Sequence, residues 1–93
     1  MNREELMIIL EEEECLIADD YNDCLIGITE GANPVAVYST QKVITKIFEE
    51  IKSDKNYEGE DPYMDAIEHF QYNIAGSYVG EKTPVYINML DDE

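Results

Sequence analysis

Between Ser39 and Lys52 the apolar residues Val43, Ile44, Ile47, Phe48 and Ile51 recur at intervals of three and four, the spacing that gathers side chains on one face of an α-helix. Such a face is stable only when buried, so the chain must supply a second layer against it. Ser39 offers a side-chain oxygen to the free N–H groups of the first turn. A second helix is expected from Pro62 to Ala75. There Asp61 caps, Pro62 occupies the first helical position where its missing N–H costs little, and Gly76 stands ready to end the helix. Its stripe is Tyr63, Ile67, Phe70 and Ile74. The polar stretch from Ser53 to Glu60, with Asp54, Asn56 and Gly59, reads as an exposed link, which makes the two helices a hairpin.

Outside these helices the apolar pattern shortens into extended runs, Cys24 to Thr29, Val35 to Tyr38 and Thr83 to Met89, separated by Gly/Pro-containing segments. In the last run Val85, Ile87 and Met89 alternate with Tyr86 and Asn88, as in a strand with one side against helices and the other wet. Near the N-terminus Leu6, Ile9 and Leu10 suit a short helix after Asn2, and Leu16, Ile17 and Ala18 a brief strand before the turn Asp19-Asp-Tyr-Asn-Asp23. The expected order is helix, strand, strand, helix, helix, strand. This is an α+β domain whose helical hairpin covers one face of a small antiparallel or mixed sheet of about three strands.

With 93 residues, the chain fits a single acidic domain, 1–93, with one core. Apolar residues make up 44% of it, including seven Tyr and two Phe, enough to pack rather than remain disordered. The apolar stretch from Leu6 to Leu10 is too short and too acidic in its flanks for a secretion signal, and no run is long enough to span a bilayer, so a cytoplasmic address without membrane contact is expected. Cys15 and Cys24 are expected within apolar strands, have no CxxC spacing, and are read as reduced, buried thiols rather than a disulfide.

Catalytic and metal-binding patterns are weak. Asp19, Asp20, Asn22 and Asp23 do not follow the calcium-loop spacing and have no Gly and closing Glu where that loop needs them. His69 is the only histidine, with no second ligand at a useful spacing, and would serve as a base only if it faced a cleft. Ser39, Ser53 and Ser77 lack the surroundings of an activated nucleophile. Gly76-Ser-Tyr-Val-Gly80 lacks the phosphate-loop pattern. The chain is therefore expected to be non-enzymatic and to hold no cofactor and no metal.

Charge is the more informative property, because 22 Asp and Glu against six Lys and Arg leave a net charge of -16. Direct binding of DNA or RNA is disfavoured, since it needs clustered cations. Lys42, Lys46, Lys52 and Lys55 fall in one segment, leaving two acidic regions in which Arg3 and Lys82 are the only positive charges. The first holds Glu4, Glu5, Glu11, Glu12, Glu13, Glu14, Asp19, Asp20, Asp23 and Glu30. The second holds Glu58, Glu60, Asp61, Asp65, Glu68, Glu81 and the tail Asp91, Asp92 and Glu93. Carboxylates held on a rigid domain near phosphate spacing can occupy the basic groove of a nucleic-acid-binding protein, as a DNA mimic does. The bland alternative is a solvated surface that only aids solubility.

Three stretches, Ala18-Asp-Asp-Tyr-Asn-Asp-Cys-Leu-Ile-Gly27, Pro34-Val-Ala-Val-Tyr38, and above all Glu68-His-Phe-Gln-Tyr-Asn-Ile-Ala-Gly-Ser-Tyr-Val-Gly-Glu-Lys-Thr-Pro84, carry a resemblance. Over Ile17 to Ile87 the chain resembles a family of short uncharacterised proteins encoded by bacteriophages and prophages. Residues 56–60 depart from that pattern, because family members have a shorter link between the helices. The resemblance carries over no catalytic residue. It implies a phage context, in which small acidic proteins disable host defence. The expected function is thus an inhibitor of a basic host protein, such as a nuclease, restriction enzyme or CRISPR effector. The partner-binding candidates are Glu11 to Glu14, Asp19, Asp20, Asp23, Glu58, Glu60, Asp61, Tyr72, Tyr78 and Glu81. Tyr72 and Tyr78 are expected to pack at the core edge with wet hydroxyls. The competing expectation is a small structural domain that forms homo-oligomers through its sheet edge or an apolar patch.

Overall fold

The computed structural model describes residues 1–90, so the tail Asp91, Asp92 and Glu93 lies outside the described residues. Its elements are α1 (Arg3–Glu12), a 3-10 segment (Asp19–Cys24), β1 (Leu25–Ile28), β2 (Ala36–Ser39), α2 (Thr40–Ser53), α3 (Pro62–His69), a π-helical continuation (Phe70–Ala75) and β3 (Val85–Ile87). The fold is α+β. Its three-stranded sheet has the order β1-β2-β3, with β1 antiparallel and β3 parallel to β2, and is therefore mixed and open.

Each α-helix starts on a side-chain cap foreseeable from sequence. Asn2 accepts from the N–H of Glu5 at 2.8 Å, Ser39 from Lys42 at 3.2 Å, and Asp61 from both Tyr63 and Met64 at 3.2 Å. The α1 helix buries Leu6 and Leu10, one turn apart. It ends without glycine in paired bonds from Glu14 N–H to the Glu11 carbonyl at 3.0 Å and from Cys15 N–H to the Leu10 carbonyl at 2.9 Å. That closure needs a left-handed residue, and Glu14 supplies it at φ 58°.

The α2 and α3 helices pack as a pair. Val43, Ile44 and Ile47 are buried on α2, with Phe48 and Ile51 at the core edge. On α3 the deep position belongs to Ala66, and Tyr63 is 40% exposed rather than buried as its spacing predicted. Its ring meets Phe48 edge-on at 5.8 Å, and its hydroxyl accepts from Gln41 at 3.3 Å, which puts the start of α3 beside the first half of α2. Close approach of the two backbones favours the small side chain and pushes the large one to the rim. The long link between them is pinned by Tyr57, whose hydroxyl donates to Asp65.

Tyr38 on β2 is the centre of the core, with no exposed surface. Its ring stacks on Tyr86 of β3 at 5.6 Å, and Phe70 meets Tyr86 edge-on at 5.3 Å. The parallel register sets Tyr38 beside Tyr86 and Val37 beside Val85. The face of β3 turned to the core is therefore that of Tyr86. Val85, Ile87 and Met89, the aliphatic set, are 38%, 42% and 57% exposed. Period two fixes which residues share a face, but only the register with Tyr38 decides which face goes in.

The expected strand at Leu16–Ala18 does not form. This segment is held by single bonds, from Leu16 N–H to the Lys82 carbonyl at 3.2 Å and from Ala18 N–H to the Tyr38 hydroxyl at 2.8 Å. Cys15 accordingly lies in no strand. It is half-buried and donates to the Pro34 carbonyl at 3.1 Å, whereas Cys24 is buried at the end of the 3-10 segment. Burial pushes both thiols above their ordinary range. Among the described residues no helix is long and apolar enough to cross a membrane.

Candidate functional site

Every carboxylate among the described residues is exposed except Asp65, which is half-buried under Tyr57. Ion pairs engage only Asp23, with Lys46 at 3.2 Å, and Glu49, with Lys52 at 3.7 Å. The other acidic side chains have no cation within pairing distance among the described residues. The acidic surface is thus set by the sequence, and the fold decides how it is divided among the elements.

One end of the molecule gathers several candidates. Glu11 to Glu14 close α1, and directly after them Cys15 bonds Pro34 and Leu16 bonds Lys82. Asn33 donates its side-chain amide to the Glu81 carbonyl at 2.9 Å. The end of α1, the turn before β2 and the turn before β3 are therefore tied together, and they bring Glu13, Glu14 and Glu81 to one end of the fold. A cleft of about 520 Å³ opens there, lined by Asn33, Val35, Tyr78, Glu81, Val85 and Tyr86 among others. Asn33 is a residue that sequence reasoning missed, since nothing local marks it as a tie across 48 positions.

Asp19, Asp20 and Asp23 do not join this end. The Nζ of Lys46, on α2, reaches the Asp20 carbonyl and the Asp23 carboxylate and lies over the Tyr21 ring at 5.6 Å. The hydrogen bond from Lys46 holds the Asp23 carboxyl below its ordinary range, and the same bond pushes the ammonium above its own. Charge here is partly neutralised and serves to fasten the 3-10 segment to α2. Glu58, Glu60 and Asp61 lie on the link between α2 and α3. Asp61 is committed there as a helix cap.

The two tyrosines depart from expectation. Tyr72, on the π-helical stretch, is 80% exposed, and Tyr78, in the following turn, is 75% exposed. Neither packs at the core edge. Phe70 is reached in the α register, its N–H bonded to the Ala66 carbonyl, and is buried, whereas Tyr72, two residues on, is left in solvent. His69 is exposed on the helix surface, its Nδ1 3.4 Å from the Asn73 amide. No group of three or more His, Cys, Asp or Glu among the described residues is arranged to hold a metal ion. Comparison with protein-family models, with curated proteins and with solved structures finds no match for this chain.

Proposed function

We propose that this protein is a non-enzymatic interaction protein that binds the cationic surface of a partner, as a DNA mimic does. The observation that supports this reading is the division of charge. Exposed carboxylates run over α1, the turns and the link, while four of the six basic residues lie between 42 and 55 and two of those are already paired. A surface of this kind attracts a basic groove from a distance and competes there with nucleic acid. Exposed Tyr72 and Tyr78 add side chains of the type that anchors interfaces. The proposal extends to a phage or prophage origin, read from the sequence resemblance alone, and with it to a host nucleic-acid-binding defence protein as partner, namely a nuclease, restriction enzyme or CRISPR effector.

The test is capture from bacterial lysate by the tagged protein at low and high salt, followed by challenge with duplex DNA. A nucleic-acid enzyme that is lost at high salt and displaced by DNA is the expected result. Replacing Glu11 to Glu14 by Gln should weaken capture while leaving the fold intact, because all four are exposed. Capture of nothing but the protein's own copies would instead favour the homo-oligomer, for which the outward Val85 and Ile87 are the specific observation.

A further inference from the structure

Strand β3 closes one edge of the sheet and pairs only with β2. Beyond that ladder, no backbone-to-backbone hydrogen bond among the described residues uses a group between Pro84 and Leu90. Edge strands are ordinarily protected by being very short, by a lysine, an internal proline, a bulge or a covering loop, and of these β3 shows shortness, at three residues. From Val85 to Leu90 the sequence is Val-Tyr-Ile-Asn-Met-Leu, with no charge and no proline. Among the described residues the register shift in the sheet lies on the opposite edge, between Leu25 and Gly27. The outward side chains Val85 and Ile87 are exposed, and Val37, beside Val85, is only half-buried.

We infer that β3 is a docking edge for an extended, basic segment of a partner protein, which adds to the sheet as a fourth strand. Main-chain bonds to the free edge would supply affinity, and alternate apolar side chains would extend the outward face of Val37, Val85 and Ile87. Charge selects this occupant over a second copy. A copy would bring another -16 to the same edge, whereas a basic strand meets complementary charge. The cleft at the start of β3 offers Glu81 as a carboxylate and Tyr78 as an aromatic face for a Lys or Arg side chain. The inference rests on the proposed cationic partner and names how that partner is held.

The probe is a short blocked peptide alternating Lys and Val, measured by fluorescence anisotropy at low salt with hydrogen exchange followed at individual amides. Its control is the same peptide methylated on alternate backbone nitrogens, which keeps side chains and charge but removes ladder donors. The expected result is slowed exchange at Val85–Ile87 and about tenfold or greater weakening by methylation, the scale of one or two lost bonds. Equal binding of both peptides without protection of β3 would overturn strand addition and leave the cationic-partner reading standing. If neither peptide nor polylysine bound, both readings would fall. A dimer in sedimentation, with the same amides protected before any peptide is added, would assign the edge to a second copy and overturn the inference.

Discussion

Tyr38 shows how much of this fold rests on one side chain. It is fully buried, yet its hydroxyl has a partner because the Ala18 N–H donates to it at 2.8 Å. Burial raises its pKa, with the bond from Ala18 acting in the opposite sense. Tyr38→Phe keeps the stack on Tyr86 but leaves a half-buried N–H without its acceptor. A loss of about 1–2 kcal/mol is expected, read as a lower urea midpoint at unchanged slope. Glu14 is the opposite case, a residue whose replacement should help. At φ 58° it bears the strain that glycine avoids, and its carboxylate sits at the negative end of the α1 dipole. Glu14→Gly should gain about 1 kcal/mol in the same assay. The Asp23–Lys46 pair sets the pH response of the 3-10 segment. Because Asp23 is lowered from 3.8, its contribution is complete above that value and is lost as pH falls through the lowered one. Lys46, raised from 10.5, contributes below that value and fades as pH rises past it.

At the scale of elements, helices were more legible than strands. The α2 stripe and the Ser39, Asp61 and Asn2 caps are local, and local signals survive folding. Ser39→Ala should therefore cost about 1 kcal/mol through the cap alone, measured as the change in midpoint relative to an exposed control such as Thr45→Ala. The facing of β3 was not legible, because aliphatic and tyrosine faces both have apolar surface to bury, and the choice was made by pairing with a distant strand. Nor was the loss of the Leu16–Ala18 strand, since its partner groups come from Lys82 and Tyr38 rather than a ladder. Of the candidate site, the acidic residues and their exposure followed from composition. Their grouping did not, for it depends on ties such as Asn33 to Glu81. The link between α2 and α3 carries its own signature. The hydrogen bond Tyr57 gives Asp65, with desolvation adding, pushes the phenol up to about 12. That contribution is present below the ordinary value of 10.0 and is lost as pH rises through about 12. Burial also raises Tyr21, Tyr38 and Tyr86, so an ultraviolet titration should show several late phenols, and Tyr57→Phe should remove one of them.

For the molecule as a whole, net charge and size set the terms. The protein measures 44 × 34 × 21 Å and carries -16. In 0.01 M salt the screening length is about 30 Å, so nearly every pair of carboxylates repels across the body, whereas in 1 M salt it is about 3 Å and only neighbours interact. The unfolded chain keeps its charges farther apart, so screening relieves the folded state more than the unfolded one. The urea midpoint should therefore rise between these limits, and the rise should be smaller when Glu11 to Glu14 are all replaced by Gln. The same salt has the reverse effect on a cationic partner, whose attraction to those carboxylates it weakens. Stability rising and binding falling over one salt series is the joint expectation. If the midpoint did not move, repulsion would be matched in the unfolded chain. A fall in partner affinity could then be assigned to the interface alone, since the folded population would be constant throughout.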